Sequence, residues 1–170
     1  MILALTPEQA EARIPELSEL VIDAVASGAS VGFLPPLALP EAEAYWRTVV
    51  TAIREGTRVL LVAMDGDLIQ GSVQLQLETR VNGNHRAEAM KLFVHRRARR
   101  QGMGRALMAE LESHARKLGR TLLLLDTRHG GEAHRLCDAL GYVKFGEVPG
   151  YARSSDGPLH TTVFFYKALA

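Results

Sequence analysis

The sequence predicts an α/β (α+β) protein built on a mixed, mostly antiparallel sheet with helices on its faces. Two observations carry this. Strand-like segments at Arg58–Met64 and Leu68–Glu78 flank Asp65-Gly66-Asp67, a strong hairpin turn. From Arg86 onward, strand-like and helical segments alternate, as strand-helix-strand units do. At 170 residues and 47% hydrophobic composition, the chain is long enough to bury one sizeable core, and a single domain over 1–170 is expected.

The elements follow in order. Thr6-Pro7-Glu8-Gln9 reads as a helix start, with Thr6 as cap, Pro7 in the first turn and Gln9 closing a capping box. Pro15 interrupts it, kinking this helix or beginning a second that runs to Val25. Gly28 to Pro40 is a Gly- and Pro-rich loop. Pro40 opens a helix through Tyr45, Trp46, Val49, Val50 and Ile53 that ends near Gly56. After the hairpin, Val81-Asn82-Gly83-Asn84 makes a second turn and Arg86–Val94 a strand, followed by a loop over Arg96 to Arg100. Leu107, Leu111, Ala115 and Leu118 then recur at helical spacing, and Gly119 stops that helix. A strand at Thr121–Thr127, a helix at Glu132–Leu140, a strand at Tyr142–Glu147, a polar loop through Ser154-Ser155-Asp156-Gly157 and a strand at Thr161–Tyr166 complete the chain.

Composition narrows the function classes. Net charge is +1, so basic character is local and not a global field. No apolar run is long enough to span a bilayer, and Met1 to Pro7 lacks the features of a signal peptide. The single cysteine, Cys137, excludes an intramolecular disulfide. These features suit a soluble cytoplasmic protein. His85, His129, His134 and His160 lack metal-ligand spacing, so no metal is expected.

The stretch from Met90 to Leu107 organises the chain. An apolar strand end is followed by four arginines, then by Gly102 and Gly104, and a helix begins at once. The first turn of a helix leaves N–H groups without partners, and its dipole is positive there. Glycine lets a large anion approach the backbone, and arginine adds forked donors suited to phosphate. A pyrophosphate seated between Arg99 and Arg105 is expected. A tight turn carrying a solvated charge cluster would fit the glycine spacing equally well. Neither a Walker A loop nor the Gly-x-Gly-x-x-Gly fingerprint is present; Leu107 stands where the third glycine would be.

Arg99, Gly102 and Gly104 after a hydrophobic strand resemble the Arg/Gln-x-x-Gly-x-Gly/Ala acetyl-CoA loop of the GCN5-related N-acetyltransferases (GNAT superfamily). Leu122–Asp126 is similar to that family's next core strand, and Ala133, Leu136, Leu140, Gly141 and Tyr142 to the following helix and its Leu-Gly-aromatic ending. Within the family the chain most resembles tabtoxin-resistance acetyltransferases. The matching segments include Gly28–Phe33, the stretch to Glu88, Lys91-Leu92, Leu125–Thr127, Gly146–Tyr151 and Asp156–His160.

The resemblance implies a GNAT fold with helices on both faces of the sheet, and acetyl-CoA as cosubstrate. Leu92, Phe93, Val94, Arg99, Arg100, Gln101, Gly102, Met103, Gly104 and Arg105 would hold it. It also implies an acetyltransferase acting on a small-molecule amine, such as an amino-acid-like toxin or antibiotic, by direct transfer in a ternary complex. The acceptor would meet Phe33, Tyr151 and His160. The resembled enzymes often pair, which leaves room for a homodimer.

Acetyl transfer to an amine needs a base, a donor for the oxyanion and a proton for the leaving thiolate. Strict alternation puts Glu88, Met90, Leu92 and Val94 on one face, and a carboxylate there is costly unless paired or functional. Glu88 is therefore a candidate base, against a salt bridge to Arg86 or Lys91. Asp126, at a strand's carboxyl end, is a second, against a loop cap or an arginine partner. Cys137 stands where the resembled family usually has a proton-donating tyrosine. A thiol donates weakly, and a small buried cysteine is the commoner outcome. A non-catalytic acyl-CoA-binding domain is the alternative function. Nucleic-acid binding through Arg96–Arg100 has little support, since no aromatic residues interleave.

Overall fold

The fold, a computed structural model, describes residues 1–169. Its elements are β1 (Ile2–Ala4), α1 (Pro7–Ala12), α2 (Ile14–Ala26), α3 (Leu39–Arg54), β2 (Arg58–Asp65), β3 (Leu68–Leu77) and β4 (Arg86–Val94). A short 3₁₀ turn (Arg96–Ala98) follows, then α4 (Met103–Lys117), β5 (Leu122–Arg128), α5 (Glu132–Ala139), β6 (Val143–Arg153) and β7 (Leu159–Ala168). The strands form one seven-stranded sheet in the order β1-β2-β3-β4-β5-β7-β6. All neighbours are antiparallel except β4 and β5.

Local chemistry sets the helix ends. The capping box at Thr6 and Gln9 is complete, satisfying two orphan N–H groups of α1. Pro15 begins the second helix and does not kink the first, since its missing N–H costs nothing in a first turn.

Each face of the sheet carries its own core. On one side α1, α2 and α3 bury Leu17, Leu20, Val21, Trp46 and Val49 against Leu60, Val62 and Phe93. On the other side Leu107, Met108, Leu111 and Ala115 of α4, together with Cys137 and Tyr142, cover Leu61, Val73, Leu75, Leu123, Val163 and Phe165. Each large side chain taken from water contributes about 1.5–3 kcal/mol. The start of α4 sits close to the sheet because residue 71 is glycine: a Cβ there would lie 2.9 Å from the Phe93 carbonyl oxygen and 3.1 Å from Leu107 Cδ1.

Several expectations are corrected. β1 escaped the sequence reading, and the Arg96–Arg100 loop contains a 3₁₀ turn. β6 runs to Arg153, through Pro149 and Gly150, where a loop was expected after Glu147. As an edge strand it tolerates both residues by bulging between Val148 and Ala152.

Candidate active site

β4 and β5 pair only from Arg86↔Leu122 to Glu88↔Leu124. Beyond that point β4 stays with β3 as far as Val94, and β5 stays with β7 as far as Arg128. The two central strands therefore diverge and open a cleft of about 740 Å³. Its walls are the end of α2 and the loop through Val31, the carboxyl end of β4, the first turn of α4, and the segment from Thr127 to Leu136.

The first turn of α4 puts unpartnered backbone N–H groups in one wall. Gly102, the N-cap, takes a left-handed conformation (φ 80°) with no side-chain cap. The first intrahelical bond runs from the Ala106 N–H to the Gly102 carbonyl, so the N–H groups of Met103, Gly104 and Arg105 have no intrahelical acceptor. A Cβ on Gly104 would meet Leu136 at 3.4 Å, Leu92 at 3.9 Å and Val94 at 4.0 Å, so glycine leaves open the corner where helix and strand meet.

The arginines divide their labour. Arg96 pairs with Asp23, and Arg97 donates to Gln70 Oε1 at 2.8 Å. Arg99 donates to the Val94 carbonyl at 3.0 Å and to Ser27 Oγ at 2.5 Å, tying the strand end to α2. Among the described residues Arg100 and Arg105 have no such partner, and both line the cleft. The cationic groups left for an anion are therefore Arg100 and Arg105, with Arg99 holding the frame. Of the ten residues expected around the cosubstrate, nine line the cleft; Gln101 instead donates to the Arg97 carbonyl at 3.2 Å.

The expectation that Glu88, Met90, Leu92 and Val94 share one face is overturned. Lys91 has φ 55°, and the register against β3 shifts between Gln74↔Met90 and Ser72↔Phe93. One extra residue in β4 flips the side chains that follow it. Ala87 and Ala89 pack in the core under α4, and so do Leu92 and Val94, whereas Phe93 joins the opposite core beside Trp46. Leu92 and Val94 line the cleft, while Glu88 belongs to the opposite face with Gln76 and Leu124, on the wall of a separate cavity of about 330 Å³.

That opposite face carries polar groups, some of them bonded to α3. Gln74 donates to Tyr45 Oη at 2.8 Å, and Arg58 donates to Gln74 and Gln76. Neither Glu88 nor Asp126 has a hydrogen bond or an ion pair within 4.0 Å among the described residues. The expected alternative partner for Glu88, Arg86, bonds Glu78 instead at 2.9 Å. Burial holds the Glu88 carboxyl above its ordinary pKa, and the charge of Asp126 raises it further. Asp126 is also raised by burial, with Lys91 pulling it back. Arg58 and Lys91 pull the Glu88 carboxyl back at a distance, so the two candidate bases lie near each other on one face with no direct ion pair.

The remaining candidates scatter. Phe33 stacks edge-on with Tyr45 at 5.2 Å, and Tyr151 with Phe164 at 5.3 Å. His160 Nε2 lies 3.2 Å from Ser30 Oγ, linking β7 to the loop beside the cleft. Cys137 is a correction. It is 4% exposed, sits in the core under α4 and does not line the cleft; burial and Asp138 push its thiol up to about 12. Its neighbours Ala133 and Leu136 reach the cleft instead. Among the described residues no group of three metal-ligating side chains gathers, and no helix is long and apolar enough to cross a membrane.

The sequence offered Lys91 only as a matching position and a possible ion-pair partner for Glu88, which it does not bond directly. Sequence reading missed the wall formed by Ala24 and Ser27, which no local motif marks.

A splayed parallel strand pair with a helix N-terminus at its mouth defines an α/β protein with a cleft between its central strands. The family model for acetyltransferases of the GNAT family matches residues 29–142, and the chain belongs to that family. It is an acetyl-CoA-dependent acetyltransferase of that type. An uncharacterised N-acetyltransferase of Azospirillum brasilense is 34% identical over 115 residues, covering 66% of this chain and 67% of that protein. The fold is similar to that of a phosphinothricin acetyltransferase from Sinorhizobium meliloti in complex with acetyl-CoA (TM-score 0.84, 19% identity, 100% of this chain and 88% of the other). It is also similar to a ribosomal-protein-alanine N-acetyltransferase from Brucella melitensis (TM-score 0.80, 24% identity, 99% of each chain).

Proposed function

We propose that this enzyme acetylates the amine of a small molecule of amino-acid type, by direct attack in a ternary complex, in the cytoplasm. The observation that supports this best is the division of labour across the splayed strands. Backbone N–H groups, Arg100 and Arg105 face the cleft from one side, and Glu88 and Asp126 lie unpaired on the other face. In this reading the first turn of α4 binds the pyrophosphate of acetyl-CoA and Leu92 to Val94 align its pantetheine arm. The amine approaches from the face that carries Glu88 and Asp126, and one of these carboxylates takes its proton, directly or through water. Holding both reactants together supplies the proximity that direct attack needs.

The resemblance to tabtoxin-resistance enzymes and the fold shared with a phosphinothricin acetyltransferase support an amino-acid-like acceptor such as a toxin or antibiotic. In this reading residues 1–170 are one domain, and the exposed aromatic surface of β6 and β7, with Phe145, Tyr151 and Tyr166, would suit pairing of two copies. No step is routed through Cys137; the leaving thiolate takes its proton from water.

The test is thiol release from acetyl-CoA against a panel of small amines and a peptide N-terminus. Turnover of small amines alone is expected. Turnover confined to the peptide would overturn the small-molecule reading.

A further inference from the structure

We infer that Lys91 recognises an anionic group on the acceptor and so restricts the enzyme to zwitterionic amines. This rests on the acetyltransferase reading above and extends it to a residue outside the family's cofactor loop. The bulge that turns Leu92 and Val94 toward the donor cleft gives Lys91 a left-handed backbone (φ 55°), uncommon for a non-glycine residue. Its side chain runs back to the loop before α3. There Nζ donates to the Val31 carbonyl and stands 5.7 Å from the centroid of the Phe33 ring. A Cβ on Gly32 would lie 2.9 Å from Nζ, so the loop closes tightly over the ammonium.

A half-buried ammonium held by one carbonyl and one ring is under-compensated. Among the described residues no carboxylate lies within 4.0 Å of it. Glu88, Asp126 and Arg58 influence it electrostatically, and among the described residues neither carboxylate bonds a basic group directly. The two carboxylates and the ammonium therefore act on one another, and on Arg58, without a direct ion pair among the three. A ligand carrying both an amine and an anion would complete all three: its ammonium beside the carboxylates before deprotonation, its carboxylate or phosphinate on Lys91. Phe33 would then act as the wall that holds the lysine in place.

The experiment compares amino acids with the amines left when their carboxyl group is removed: L-phenylalanine against phenethylamine, and L-ornithine against putrescine. Thiol release gives kcat/KM for each pair, in wild type and in Lys91→Met. A charge-assisted hydrogen bond lost from a semi-buried site corresponds to about 10- to 100-fold in the constant it controls. Wild type is expected to favour the zwitterion of a pair by that factor, and Lys91→Met to bring the ratio close to one, mainly through KM. Acetyl-CoA affinity and Tm, measured on the same samples, should stay near wild type. Equal losses on both members of a pair, with lowered Tm, would mean that Lys91 only latches the loop, and would overturn the inference. So would a wild type that shows no preference for the zwitterion; the acetyltransferase reading would survive either result. Absence of turnover with every amine would instead remove the small-molecule reading, and this inference with it.

Discussion

Gly104→Val separates binding from folding at the centre of the site. A Cβ at this position meets Leu136 at 3.4 Å, Leu92 at 3.9 Å and Val94 at 4.0 Å, all ordinary contact distances, so the first carbon added costs the apo fold little. Valine adds two more carbons at a corner already bounded by these three side chains, and they must point toward the cleft. There they would cover the N–H groups of the first turn of α4. Loss of one or two hydrogen bonds to a charged phosphate costs about 1.5–3 kcal/mol each, or roughly 10- to 150-fold in Kd for one bond. Replacing glycine within a helix stabilises by up to about 1 kcal/mol, and that gain offsets part of any crowding. The expected result is a Tm within a few degrees of wild type and acetyl-CoA binding weakened at least tenfold by calorimetry. A folded Gly104→Val protein that binds acetyl-CoA as wild type does would refute the placement of the pyrophosphate on this turn.

The remaining predictions concern the carboxylates and the second core. Glu88→Gln or Asp126→Asn should lower kcat by about 100-fold or more, and wild-type kcat/KM should fall on the acid side at a pH above the ordinary carboxylate range. Near-normal rates in both variants would remove these residues as bases. Both carboxyls are raised in the folded state, which therefore holds extra protons between the unfolded and folded pKa values; stability falls as pH rises through that window. Either substitution should accordingly raise Tm at pH 7 relative to wild type, with the difference fading at acid pH. Cys137→Ala should cost about 1 kcal/mol of stability and keep substantial activity. Mass spectrometry after acetyl-CoA alone should show no acetyl adduct on Cys137, whose thiol is pushed up to about 12. Lys167 bonds Glu112 at 2.8 Å and the Leu140 carbonyl at 2.8 Å. Lys167→Met should destabilise by about 1.5–3 kcal/mol in chemical denaturation, since the buried Glu112 loses its charge-assisted bonds and keeps Arg116 at 3.8 Å.

What could be read from the chain was what is local. The strand from Arg86 to Val94 was expected at its observed bounds, and the capping box at Thr6 is two residues answering each other. The helix start at Met103 was legible, and with it the unpartnered backbone N–H groups that any helix start provides. β1 was not, because three residues at a sheet edge carry no periodicity. Cys137 could be placed on its helix by counting, but which way a helix face turns is decided by packing, and here it turned into the core. The acceptor side was the least legible part. Of the groups gathered on that face, Phe33, Glu88 and Asp126 were named from the sequence, whereas Arg58, Gln74 and Lys91 come from three strands with no spacing that marks them.

The inserted residue at Lys91 shows why the two halves of the site differ in this way. With strict alternation, Glu88 would share a face with Leu92 and Val94, and base and pantetheine would compete for the same side of the sheet. One added residue turns the apolar pair toward α4 and leaves the carboxylate on the face below α3. Donor and acceptor can then approach the splayed strands from opposite sides and meet where the pairing ends, at Glu88 and Leu124. The proposed direct transfer would use that geometry, since without it an enzyme-bound acetyl group would have to carry the group from one face to the other. The one cysteine that could have served as such a carrier is shut inside the core.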